Sequence, residues 1–243
     1  MIFTAATAAE RRIFMKVTWL THAGLFFDSG KLKIMVDPYL SDSVGEKCPE
    51  KKRRMPVNEK YFDAAPDVIL ITHDHLDHLD PETLGELIRR AEKPITFLAP
   101  ENAYKKLSEL GGEHNYVLLA PHSVWSQGGV TFYSVKAEHS DRTAAGFIID
   151  DAKKTYYVSG DTLYNYDVID DVLDLVENGV DYAFLPINGV GNNMNAKDAA
   201  DFAYEIGARC AVPVHYGLFD DIDPAEFDFE DALILMPYEE RKL

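Results

Sequence analysis

The stretch Asp67-Val68-Ile69-Leu70-Ile71-Thr72-His73-Asp74-His75-Leu76-Asp77-His78-Leu79-Asp80-Pro81 decides how this chain is read. It opens on an apolar run that fits a buried strand. Three histidines and three aspartates then fall between positions 72 and 80. Asp80 suits an N-cap and Pro81 a first helical residue, for a helix over 82–91. Leu84, Leu87, Ile88 and Ala91 give that helix its apolar face. The histidines therefore sit on a strand-to-helix loop. On a helix, His73 and Asp77 would share a face and His75 would point away. On a strand, His73, His75 and Asp77 would share a face and His78 would point away. Only an irregular turn lets all four converge. Converging imidazoles and carboxylates suit zinc, iron, manganese or nickel. The plain alternative is a polar loop with incidental histidines; with 8 histidines in 243 residues the spacing His-x-His-x-Asp-His is too rare for that.

Upstream, 17–20 reads as a strand. Residues 24–28 and 32–36 read as a hairpin across Ser29-Gly30, stopped at Asp37-Pro38. The stretch 41–61 is polar and holds the basic run Lys51-Lys52-Arg53-Arg54, read either as a solvated loop or as a flap that recruits an anion. Downstream, strands are expected at 95–99, 117–119, 130–135, 146–149, 155–158, 182–185 and 211–214. Helices are expected at 101–110, closed by Gly111-Gly112, at 168–176, and from Asn195 to about 206. A last helix near 224–231 and a strand at 233–235 complete the pattern. His73, His139, Asp161, Asn188 and His215 each lie just past the end of an expected strand, where α/β enzymes keep their chemistry. Read alone, His139 and His215 are ligands or ordinary surface histidines, and Asp161 is a bridging carboxylate or a turn aspartate. His22 is a weaker candidate for the same site; His114 and His122 read as surface residues.

Composition narrows the partners. The net charge of −17 argues against nucleic acid and anionic membranes. An anionic substrate would need a metal or a few placed basic residues. Cys48 and Cys210 cannot build a disulfide framework or a Cys-x-x-Cys zinc site. No signal-peptide core, membrane-spanning run or tandem repeat is visible, so a cytoplasmic protein is expected. One domain over 1–243 is the simplest organisation, with 1–14 an N-terminal extension, because the patterned sequence begins at Met15. Oligomeric state, including a homo-oligomer, is left open.

These motifs resemble the metallo-β-lactamase-fold hydrolases: Asp37 after the early strands, the His-x-His-x-Asp-His loop, His139, Asp161 and His215, in that order. Within that superfamily the chain is similar to the L-ascorbate-6-phosphate lactonase-like branch. The pointers are 72–80, Asp141-Arg142-Thr143-Ala144, Ser159-Gly160-Asp161-Thr162, Asn188-Gly189 and Pro213-Val214-His215. The resemblance implies an α/β fold, a four-layer αββα sandwich with helices outside two mixed sheets. It implies two divalent metal ions, zinc or manganese, with iron or nickel also admitted. His73, His75 and His139 would hold one, Asp77, His78 and His215 the other, and Asp161 would bridge. Asp37 would brace the loop from behind. The implied activity is metal-dependent hydrolysis by activated water, with Asp77 and Asp161 as the catalytic carboxylates. The expected substrate is a small anionic metabolite, a sugar-lactone phosphate first. Arg142, Asn188 and Tyr216 flank the ligands and are the candidate substrate contacts, or else make structural hydrogen bonds. No Gly-x-Ser-x-Gly element offers a protein nucleophile. The competing readings are a phosphodiesterase or phospholipase of the same fold and a non-catalytic metal-binding sensor.

Overall fold

Hairpins and helices alternate along this chain, and they decide which strands run antiparallel and which parallel. The computed structural model describes residues 14–243 apart from position 177, so the expected extension over 1–14 lies outside the described residues except for Phe14. Strands β1 (Lys16–Trp19), β2 (Leu25–Asp28) and β3 (Lys33–Val36) pair antiparallel in sequence. A crossover carrying a short helix, α1 (Ser43–Lys47), leads to β4 (Val68–Leu70), parallel to β3. Helix α2 (Pro81–Arg90), strand β5 (Thr96–Ala99), helix α3 (Glu101–Ser108) and strand β6 (Asn115–Leu118) extend this sheet in parallel steps. The second sheet begins with an antiparallel ladder of β7 (Val124–Gln127), β8 (Val130–Lys136), β9 (Ala145–Asp150) and β10 (Thr155–Val158). It continues in parallel through α4 (Tyr166–Leu175), β11 (Tyr182–Pro186), α5 (Ala196–Glu205) and β12 (Cys210–Val214). A last strand, β13 (Glu240–Lys242), returns to the first sheet beside β1.

Strand alternation sorts the side chains into layers. Leu25, Phe27, Ile34, Val36, Val68 and Leu70 join the core between the sheets. Their neighbours Met35, Ile69, Ile71 and Phe97 face the other way, onto Leu84 and Leu87 of α2 and Ala103 and Leu107 of α3. From the second sheet Phe184 meets Phe27 edge-on with ring centroids 5.4 Å apart. Such a pair adds about 0.5–1.5 kcal/mol beyond its burial. Val168, Val172, Ala199 and Phe202 of α4 and α5 cover the outside of the second sheet. This is the expected αββα order. Among the described residues no helix is long and apolar enough to cross a membrane.

Three expectations change. The helix near 224–231 is only a 3-10 turn, Pro224–Glu226, held by the Asp223 side chain. Phe227 and Phe229 are both buried, a two-residue spacing that an extended chain satisfies and a helix does not. The strand at 233–235 is reduced to a bridge between Ala211 and Ala232, and the edge is formed by β13 instead. The basic run divides: Lys51 and Lys52 are exposed, as a solvated loop would have them, whereas Arg53 and Arg54 turn back onto the protein. Arg53 donates to the carbonyls of Tyr39 (2.8 Å) and Met55 (3.2 Å), to Thr21 Oγ1 (3.1 Å) and to the Tyr238 hydroxyl (3.4 Å). Arg54 donates to the Asp220 carbonyl and pairs with the Asp221 carboxylate. Arg54 N also donates to the Leu218 carbonyl at 3.1 Å, so the two arginines strap the loops that carry Thr21 and Leu218. Arg53→Ala should lower unfolding free energy by about 1.5–3 kcal/mol, the range for hydrogen bonds to a charged group. Arg53→Lys should recover little, because one ammonium cannot replace a planar fork. Urea melts of the three proteins decide this; a Lys variant as stable as wild type would sink the strap.

Candidate metal centre

The strand-to-helix loop turns sharply, which frees its side chains from strand or helix periodicity. His78 N and Leu79 N both donate to the His75 carbonyl, at 3.1 and 2.7 Å. Asp80 then caps α2, accepting from Glu82 N and Thr83 N, and from Ser43 Oγ at 2.9 Å. The turn brings His73, His75, Asp77 and His78 to one edge of the sandwich. The ends of β8, β10 and β12 bring His139, Asp161 and His215 to the same edge.

All seven side chains singled out as ligands lie together. His139 Nε2 is 3.2 Å from His75 Nδ1, and the His73 and His139 rings are 4.7 Å apart. Asp161 Oδ1 is 3.3 Å from both His78 Nε2 and His215 Nε2, and Asp161 Oδ2 is 4.0 Å from His139 Nε2. His215 Nε2 is 3.8 Å from Asp77 Oδ2. Gly160 allows Asp161 this approach: it has φ +61, and a Cβ there would come within 2.6 Å of Thr72 Cβ.

Hydrogen bonds behind the cluster set which nitrogen faces it. Asp37, buried, accepts from Thr72 N (2.8 Å), Thr72 Oγ1 (2.5 Å) and His78 Nδ1 (2.8 Å). Since the Thr72 hydroxyl gives its hydrogen to Asp37, its oxygen accepts from His73 Nδ1, 3.0 Å away. His139 Nδ1 donates to the Asn192 carbonyl at 3.2 Å. His73, His78 and His139 thus each turn Nε2 inward, the orientation that outer hydrogen bonds impose on metal-binding histidines. Asp141 ties the loops together, accepting from Asn102 Nδ2 (2.8 Å), Thr143 N (2.8 Å) and Asp74 N (3.2 Å).

A metal fits this donor set. His73 Nε2, His78 Nε2, His215 Nε2 and Asp161 Oδ1 are buried without a hydrogen-bond partner, although buried polar atoms normally have one. They are close enough to attract one another but not aligned for hydrogen bonds. Burial pulls the His73 pKa well down, helped by the charge of His78. At His78 burial pulls the same way, but Asp161 and Asp37 outweigh it and hold the pKa well above the ordinary value. Burial would raise the Asp161 pKa; His215 and His78 outweigh it and hold the carboxyl well below its usual range. The buried carboxylates therefore demand positive charge, which protons or cations can supply, and cations displace the protons.

The remaining candidates separate. His22 belongs to the cluster: Nε2 is 2.9 Å from Asp77 Oδ2, and its ring centroid is 3.7 Å from that of His215. Burial, then the charge of His215, lower its pKa to about 4. Its only sequence signal is its place past the end of β1. Arg142 is exposed in the loop that follows His139. Asn188 is half-buried, and its Nδ2 donates to the Val190 carbonyl at 3.4 Å. Tyr216 does not flank the ligands as expected; it turns into the core and stacks on Trp19 with centroids 4.9 Å apart. His114 Nδ1 accepts from Ile95 N, and His122 lies 3.3 Å from Asp171, both outside the cluster. The sequence marks Thr72 only as the first residue of the 72–80 motif, and the Asn192 carbonyl carries no sequence signal; both orient ligands.

The model of the β-lactamase superfamily domain matches residues 33–216, from β3 to just beyond His215. A UPF0173 metal-dependent hydrolase of Pyrococcus abyssi is 30% identical over 243 residues, covering 94% of this chain and 100% of that one. This chain belongs to the UPF0173 family of metal-dependent hydrolases, within the β-lactamase superfamily. A second member, from Pyrobaculum aerophilum, is 28% identical over 222 residues, covering 88% of this chain and 90% of its own. Among solved structures, the metallo hydrolase Igni18 of Ignicoccus hospitalis superposes with a TM-score of 0.77 at 21% identity, over 94% of this chain and 98% of that one. That likeness shows the metallo-β-lactamase fold. Within the described residues, the cluster offers His and Asp groups able to hold the metal ions that the family's name calls for.

Proposed function

We propose that this protein hydrolyses an ester, lactone or phosphoester bond in a small anionic metabolite, using two divalent cations, zinc or manganese first. The observation that carries the reading is Asp161, with one carboxylate oxygen toward His78 and His215 and the other toward His139. His73, His75 and His139 hold one cation; Asp77, His78 and His215 hold the other. When bound, such a pair lowers the pKa of water and polarises the substrate oxygen. Asp77 is the more open of the two acidic ligands, with its side chain 25% exposed against 7% for Asp161. It orients the attacking water by accepting its hydrogen, and Asp161 holds the two donor sets in register. Arg142, exposed in the loop that follows His139, supplies a positive charge in a chain whose net charge is −17. It suits the anionic end of the substrate, bidentately for a phosphate. Asn188 lies on the loop that also supplies the Asn192 carbonyl and offers a second polar contact. A sugar-lactone phosphate combines both features and is the first substrate to try. The acidic surface turns away nucleic acid and anionic membranes.

The test is a panel of lactones, phosphodiesters and phosphomonoesters, given to wild type and Arg142→Ala after metal is restored. Arg142→Ala should lose about 10–100-fold in kcat/KM on anionic substrates, the equivalent of a charge-assisted hydrogen bond. Neutral analogues should hardly change. Equal losses on both classes would remove Arg142 from the substrate site. No turnover of any substrate by metal-restored wild type would remove the hydrolase reading.

A further inference from the structure

The loop between β1 and β2 supplies no ligand in the reading above, yet it buries a histidine inside the cluster. His22 is 2% exposed. Its main chain is pinned on both sides: its carbonyl accepts from Trp19 Nε1 at 2.7 Å and from His215 N at 2.8 Å. Thr21 and His22 hold positive φ values of 76° and 53°, an uncommon pair for residues other than glycine. Phe219 covers the ring, with centroids 4.7 Å apart. The imidazole is thereby fixed with Nε2 toward Asp77.

One donor atom from each of His22, Asp77, His78 and His215 lies within 4.8 Å of all the others. Ligands about 2.1 Å from a common ion stand about 3.0 Å apart when adjacent in an octahedron and about 4.2 Å when opposite. The 2.9 Å from His22 Nε2 to Asp77 Oδ2 and the 3.8 Å from His215 Nε2 to Asp77 Oδ2 fall in or near that range. We propose that His22 is a metal ligand and gives the second position five protein donors: His22, Asp77, His78, His215 and the shared Asp161. The first position has four, from His73, His75, His139 and Asp161. The two positions then differ in kind. The second suits an ion that accepts five or six donors, such as manganese, iron or cobalt, and the first also suits tetrahedral zinc. This rests on the two-cation reading of the site.

Wild type, His22→Gln and His22→Ala are stripped with chelator and titrated with cobalt(II). Bound cobalt is counted and its visible absorption recorded, with circular dichroism as the check on folding. Gln keeps an N–H within reach of Asp77 but is a poor ligand. The expected result is two cobalt ions per wild-type chain. Both variants should keep the first and bind the second more than about 100-fold more weakly, beyond the 10–100-fold loss of a merely orienting partner. The absorption of the second ion should change as well. A Gln variant that binds the second ion like wild type, with the same spectrum, overturns the proposal and leaves His22 as a hydrogen-bond partner of Asp77. One ion in wild type overturns the two-cation reading and this proposal with it, whereas a second ion bound as tightly by all three proteins overturns this proposal alone. If both variants are unfolded, a structure of cobalt-loaded wild type decides: an Nε2–cobalt distance of about 2.1 Å supports the proposal, and His22 hydrogen-bonded to Asp77 overturns it.

Discussion

Asp161→Asn should lose cation binding at both positions and lower kcat/KM by at least about a hundredfold, the scale seen when one preorganised electrostatic group is removed from an active site. The substitution preserves shape, so no cavity opens and packing stays as it was. What changes is charge and the number of lone pairs. Asp161 is 6% exposed and lies 3.3 Å from both His78 Nε2 and His215 Nε2. An amide presents one acceptor where the carboxylate presents two, and its NH2 group cannot face a cation. The histidines change too. At His78 and His215 the Asp161 charge is the leading influence that outweighs burial and keeps the pKa high. Without it both pKa values should fall, further at His215 than at His78, where Asp37 still holds the ring's proton. Metal content by elemental analysis and turnover on whichever substrate the panel identifies should fall together. An Asn variant that keeps two ions and wild-type turnover would mean that Asp161 does not lie between them.

The seven ligand-type residues were legible because each sits at a boundary that local pattern marks. The apolar run before His73, the Asp80-Pro81 helix start and the strand ends before His139, Asp161 and His215 all depend on near neighbours in the chain. The layers were legible for the same reason: Ile34 and Met35 face opposite ways simply because they are adjacent on a strand. Where the reading failed, the deciding contact was long-range. His22 meets Asp77 from 55 residues away, and Arg53 reaches Tyr238 from 185 away. Tyr216 follows His215, whose φ of 58° reverses the chain and sends the next side chain back under Trp19. Phe227 and Phe229 look like part of a helix until Tyr204, on α5, claims Phe229 with ring centroids 4.5 Å apart.

Asp37→Ala should weaken both cation positions at once, by about 10–100-fold each, although Asp37 is not among the inward-facing donors. The reason is its double reach. Its Oδ2 accepts directly from His78 Nδ1 and also from the Thr72 hydroxyl, whose oxygen then accepts from His73 Nδ1. One buried carboxylate therefore orients a ligand of each position. Removing it leaves Thr72 N and His78 Nδ1 buried with nothing to receive their hydrogens, a cost of about 1–3 kcal/mol for each group. Metal-free protein should therefore also unfold at lower urea. Asp37→Asn is the sharper variant. It can keep one oxygen for Thr72 N, but its NH2 then meets the hydroxyl and the imidazole N–H. His78 would have to accept through Nδ1 and move its hydrogen to Nε2, the atom that faces the cluster. Competition against a chromophoric chelator reads both dissociation constants, and urea melts read stability separately. His139→Ala is the control, since it touches only the first donor set and should spare the second cation. If Asp37→Asn loses stability but binds both cations as tightly as wild type, Asp37 supports the loop without orienting the ligands. If it weakens only the second cation, the relay through Thr72 to His73 is not in force.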